Sequence, residues 1–195
     1  MPSTREPNRS TLTDTDTVYG WISILLHWST AIIVIALWFI GKGIMSASPE
    51  SIDARRALHV SIASAAWLLI FFRIAWRFRG GHPRIHGQSD RIHRISKANH
   101  YLMIGVALLM LLSGPFLVWA DGRPIDVFGL LSIPAPFGPA PGIREVAWLI
   151  HENFANLLGI LVLLHFSGAM KHLMFHTDDT IVRMLWPTRT GDSDS

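Results

Sequence analysis

Apolar residues in this chain gather in four runs of about 20, the length a membrane-spanning helix needs. They cover residues 19–40, 57–76, 100–120 and 146–174, with polar or Pro/Gly-rich stretches between them. Residues 1–18 are polar and aperiodic and read as a flexible tail, as do residues 188–195; residues 19–187 read as one membrane domain. The first run is too long for a cleaved signal core and predicts an uncleaved anchor, although Ser-Ala-Ser at 46–48 resembles a cleavage site. The predicted fold is an all-α integral membrane protein, a bundle of four transmembrane helices.

Charge decides orientation rather than partner. The chain carries 17 Lys and Arg against 14 Asp and Glu, an excess that taken alone would suit nucleic acid. The excess is concentrated between Arg73 and Lys97, where seven basic residues face one acid, Asp90. The positive-inside rule puts that loop, and with it both termini, in the cytoplasm. Lys42, Arg55, Arg56, Arg123 and Arg144 then lie in the outer loops, the second of which is a long Gly/Pro-rich stretch. The partner is a lipid bilayer, and nucleic acid is not expected.

Composition restricts the chemistry. Ten His and no Cys exclude disulfides, thiolate zinc sites, cysteine-held iron–sulfur clusters and covalent haem attachment. In the last run His151 and His165 are fourteen residues apart, about 21 Å along a helix and nearly four full turns, so both face one side at two depths. Ionisable groups at such depth point to function. His27 lies in the cytoplasmic half of the first run and His59 near the outer end of the second. Depth alone therefore pairs His27 with His165 and His59 with His151. Facing imidazoles from different helices are what a bis-histidine b-type haem needs. A lone intramembrane His more often hydrogen-bonds between helices. Zinc usually recruits carboxylate or thiolate, which these runs scarcely offer. Two depth-matched pairs favour two haems, one per leaflet.

The remaining candidates are less defined. His100 and His172, at the inner side, suit a haem propionate, a quinone or simply the interface; His82, His86, His93 and His176 read as surface. Gly105, Gly114, Gly159 and Gly168 suit close approach of a flat ring or of a neighbouring helix. Trp21, Trp28 and Trp38 read as interface anchors.

These residues resemble the bacterial cytochrome b-561 family of four-helix dihaem membrane proteins. The likeness rests on His27-Trp28, LHVS around His59, KANH ending at His100, WADGRPIDVFGL in the outer loop, HENFAN at His151, His165, and KHLMFHTDDTIVRM after it. It covers residues 19–187 and is closest to the short stand-alone members, including a superoxide oxidase that reduces ubiquinone. The resemblance implies two haem b groups with His27, His59, His151 and His165 as axial iron ligands, ubiquinone as electron partner, and residence in the bacterial inner membrane. The expected activity is an oxidoreductase that takes electrons from superoxide outside, with Arg55, Arg56 and Arg144 drawing in the anion. Arg73, Arg77, Lys97, His100 and His172 mark an inner region where quinone would bind. The alternative is a haem-bearing subunit passing electrons between a partner dehydrogenase or hydrogenase and the quinone pool. A third reading is a haem-free transporter or scaffold.

Overall fold

The structure, a computed structural model, describes residues 12–15, 18–79, 90–175 and 184–187. Four helices dominate it: α1 at Trp21–Met45, α2 at Ile52–Arg77, α3 at Asp90–Ala120 and α4 at Pro141–Phe175. Even α1, with 25 residues, is about 37 Å long, more than the 30 Å or so of hydrocarbon it must cross. All four are apolar enough to span a membrane. Their outward faces expose Ile32, Phe39, Leu68, Phe71, Leu163 and Leu164, side chains that lipid rather than water would cover. This is a four-helix integral membrane bundle.

The helices pack as two pairs. α1 lies on α2 and α3 on α4, while contacts between the pairs are sparse. At mid-height the pairs are joined by aliphatic side chains. Ala66, Ile70 and Ile74 of α2 pack with Ile33 and Val34 of α1 and Ile104, Ala107 and Leu108 of α3. Val106, Leu158 and Leu161 form the adjoining cluster, again touching Val34.

Indole N–H groups tie the helices together where backbone carbonyls permit it. Pro115 lies inside α3 and has no N–H to offer the Leu111 carbonyl four residues back. Trp67 of α2 donates its Nε1 to that carbonyl instead, at 3.1 Å. Trp38 of α1 donates to the Ala155 carbonyl of α4 at 3.1 Å. It can do so because residue 159 is glycine: a Cβ there would sit 2.9 Å from the Trp38 Nε1. Trp28 reaches the Met184 carbonyl at 2.7 Å and Trp76 the Ser23 hydroxyl at 2.9 Å. Trp38 therefore clamps two helices and is not only an interface anchor.

Two parts of the chain depart from the reading of the sequence. Residues 12–15, assigned to a flexible tail, are bonded to α1. The Asp14 carboxylate accepts from the Gly20 N–H at 2.8 Å and the Ser23 hydroxyl at 2.7 Å, and the Leu12 carbonyl accepts from the Ile22 N–H. They meet donors that a helix start leaves unsatisfied. The long loop between α3 and α4 contains a hairpin, β1 at Ile125–Val127 paired antiparallel with β2 at Leu131–Ile133, with Val127 opposite Leu131. Phe128 and Gly129 turn it with φ of 53° and 71°. Its anchor is Ser61 of α2, which donates to the Asp126 carbonyl at 3.1 Å and accepts from the Phe128 N–H at 3.1 Å.

Candidate cofactor-binding site

Both expected histidine pairs form. His27 of α1 faces His165 of α4 with ring centroids 6.1 Å apart, and His59 of α2 faces His151 of α4 at 6.3 Å. α4 thus supplies one member of each pair, and the α1–α2 layer supplies the other. The two levels are separated by the aliphatic layer, whose Leu158 lies midway between His151 and His165 and is buried.

The separations have a chemical meaning. A metal–imidazole bond is about 2 Å, and a ring nitrogen lies about 1.1 Å from its ring centre, so two imidazoles on one metal atom hold their centres about 6 Å apart. Both pairs meet that value. Among the described residues no group of three or more His, Asp or Glu is placed to hold a metal ion. Two axial nitrogens with the remaining positions left to a macrocycle is the donor set of a haem. The glycines on the rings support this. At Gly41 a Cβ would meet His59 Cε1 at 3.2 Å, and at Gly114 it would meet His151 Cε1 at 3.5 Å. The Gly41 and Gly114 positions therefore face the His59 and His151 rings with no side chain between. Gly105 and Gly168 would meet nothing within 4 Å, and Gly159 serves Trp38.

Neighbouring groups differ between the levels. The His151 Nδ1 is 3.0 Å from the buried Ser113 hydroxyl of α3. The His59 Nδ1 is buried and turned toward the Leu37 carbonyl without a hydrogen bond of ordinary geometry. At the other level Trp28 stands edge-on to His27 at 5.5 Å, and His100 stands edge-on to His165 at 4.9 Å. The His100 Nδ1 lies 2.9 Å from the Ser96 carbonyl. His100 thus adjoins the pair of His27 and His165. His172 lies on α4, but its side chain is outside the described residues, as is that of His93; His82, His86 and His176 lie outside them altogether.

The expected anion-drawing residues are mostly paired with carboxylates. Arg144 and Arg123 both donate to Asp121, at 2.7 and 2.8 Å, and Arg56 donates to Asp53 at 3.2 Å. Lys42 donates to Glu152 at 2.7 Å. Arg55 contacts the Gly43 carbonyl at 3.5 Å. Desolvation works to raise the Asp121 carboxyl, but the hydrogen bonds from Arg144 and Arg123 outweigh it and hold the group below its ordinary value. Sequence reasoning missed Ser113, because a serine inside a membrane helix reads as a small packing residue. It also missed the hairpin above the site.

Comparison with known proteins agrees with the geometry. The sequence pattern of the prokaryotic cytochrome b561 family matches residues 18–187. Cytochrome b561 homolog 2 of Escherichia coli strain K12 is 30% identical over 176 residues, 89% of this chain and 94% of that protein. Cytochrome b561 homolog 1 of the same organism is 25% identical over 166 residues, 83% and 93% of the two chains. The probable superoxide oxidase CybB of Yersinia pestis is 23% identical over 175 residues, 89% and 98%. With four apolar spans and facing histidines already in place, the match over most of its length shows that this chain belongs to the prokaryotic cytochrome b561 family, membrane electron-transfer proteins that carry b-type haem.

Proposed function

We propose that this protein carries electrons across the bacterial inner membrane from superoxide at the outer face to ubiquinone. One b-type haem is held between His59 and His151 near the outer face and a second between His27 and His165 near the inner face. The observation that carries this is the two imidazole pairs, 6.3 and 6.1 Å across, at opposite ends of one bundle. When bound, the haems supply one-electron centres at two depths. The chain's own part is to hold each imidazole, to exclude water between the levels with Leu158, Val106 and Ile70, and to bring the two reactants to opposite faces.

The basic residues Arg73, Arg77, Arg91, Arg94 and Lys97 lie at the end holding His27 and His165, which orients that end, and both termini, to the cytoplasm. At the opposite end a positive field would draw superoxide inward. Asp53 neutralises much of the charge of Arg56, whereas Asp121 is shared by Arg123 and Arg144 and leaves one positive charge there, so Arg55 and the Arg123–Arg144 pair carry the attraction. Ubiquinone is taken at the inner side, where His100 adjoins His165 and the Arg73 and Arg77 guanidinium groups stand nearby. Electrons and protons balance: two superoxide ions leave as two dioxygen molecules, and one ubiquinone takes two electrons and two protons.

The test is to place the purified chain alone in ubiquinone-containing vesicles and generate superoxide outside. Ubiquinol should form, and Arg55→Glu with Arg56→Glu should slow its formation and flatten its dependence on salt. Haem-loaded protein that forms no ubiquinol from superoxide would contradict this donor and acceptor; it would favour a subunit that needs a partner dehydrogenase or hydrogenase.

A further inference from the structure

Building on the reading that His151 is a haem ligand, we infer that Ser113 is its positioning residue, fixing which imidazole nitrogen faces the metal and how strongly it donates. Ser113 lies inside α3, is 6% exposed, and places its Oγ 3.0 Å from His151 Nδ1. A hydroxyl has one proton and two lone pairs. The Ser113 proton is directed at the Met110 carbonyl, 3.5 Å away, one turn back on the same helix. The lone pairs are left for the imidazole, so the His151 Nδ1–H donates and Oγ accepts. The Nε2 lone pair is then left unprotonated and available to a metal.

The backbone of α3 reinforces this. Gly114 lets the helix lie against the ring, where a Cβ would stand 3.5 Å from Cε1. The ring is therefore held by a hydrogen bond at one nitrogen, with the Gly114 position facing its Cε1 edge. His59 has the glycine at Gly41 but no such hydroxyl at its Nδ1. The two ligands of one pair are thus held unequally, and the control is concentrated on His151.

Accepting a hydrogen bond from the far nitrogen of a metal-bound imidazole makes that imidazole a stronger donor and fixes its plane. A stronger donor favours the oxidised metal. Removing the hydroxyl should therefore raise the reduction potential of the haem at His59 and His151. It should leave the one at His27 and His165 unmoved, since Leu158 and its neighbours lie between.

The experiment uses the purified full chain loaded with haem and compares Ser113→Ala, Ser113→Thr and His151→Ala. Potentials are read by optical redox titration, and ligand orientation by the low-spin ferric signals in electron paramagnetic resonance. In Ser113→Ala one potential should rise and one ferric signal should move, while the other haem keeps both values; Ser113→Thr should match the parent. Loss of one haem in Ser113→Ala with retention in Ser113→Thr supports the same role. The inference is overturned if Ser113→Ala leaves both haems unchanged, or if Ser113→Thr shifts or loses the haem as Ser113→Ala does, since packing alone would then be responsible. His151→Ala separates the underlying reading. If it retains both haems, His151 is not a ligand, whatever the serine variants show.

Discussion

His151 meets groups from two other helices: the His59 ring of α2 and, from α3, the Ser113 hydroxyl and the Gly114 position. A residue gripped this way has little freedom to turn, which suits a ligand whose plane matters. The outer acids are arranged differently. Asp121 sits between two arginines at the surface, and its carboxyl is held below the ordinary range by Arg144 and Arg123. A depressed carboxyl stabilises the fold fully above its unfolded value, about pH 4, and the contribution is lost as pH falls through the lower folded value. The pairs are solvent-exposed, so the effect is small, and salt weakens it. Asp121→Asn should therefore leave α3 and α4 intact but abolish the part of the acid-induced loosening of the outer loop that salt suppresses. Amide hydrogen exchange between residues 121 and 144, followed from pH 6 to pH 3, checks this. An unchanged acid profile in the variant would show that other carboxylates govern the loop.

Among the elements, the tryptophan clamps help explain how a bundle with sparse contacts between its two helix pairs holds together. Trp67 occupies the carbonyl that Pro115 leaves free, so Trp67→Phe should expose an unsatisfied group inside the membrane. The expected cost is about 1 kcal/mol, a fall of about 2–4 °C in the thermal midpoint for a chain of this size, with haem content unchanged. Gly159→Leu is harsher, because its Cβ alone would stand 2.9 Å from the Trp38 indole. Overpacking of this kind costs about 1–3 kcal/mol. It should part α1 from α4, so haem retention at His27 and His165, which those helices share, should fall before that at His59 and His151. Equal loss at both levels would place the clamp's effect on the whole bundle. The hairpin follows the same logic. Phe128 holds a left-handed conformation costly for a bulky residue, and Ser61 and the Asp126 carboxylate, which accepts from the Gly129 N–H at 2.7 Å, hold it there.

What the sequence made legible was periodic: four apolar runs, and histidines whose spacing set their face and depth. Helix limits were less legible. α3 begins at Asp90, ten residues before its apolar run, because a helix continues by backbone hydrogen bonding after hydropathy has fallen away. The hairpin was hidden for another reason. Its turn puts Phe128 where glycine or asparagine would have signalled it, and its anchor, Ser61, lies far back in the chain. The Ser113–His151 contact and the pairing of Arg144 with Asp121 depend on tertiary approach, which no local pattern reports, whereas Asp53 and Arg56 are i,i+3 neighbours on one helix.

At the scale of the molecule, α4 is a shared spine that presents His151 to one partner helix and His165 to another, with an aliphatic layer between. The two histidine pairs are thereby set at two levels of the bundle with buried aliphatic side chains between them. It matches a family of membrane electron-transfer proteins along nearly the whole chain. The reduced-minus-oxidised visible spectrum of the purified protein, with haem b quantified per polypeptide in the parent and in His27→Ala and His59→Ala, tests this most directly. Two haems per chain, falling to one in each variant with a different haem lost in each, is the expected result. A single haem in the parent, or the same haem lost in both variants, would contradict the two-level arrangement.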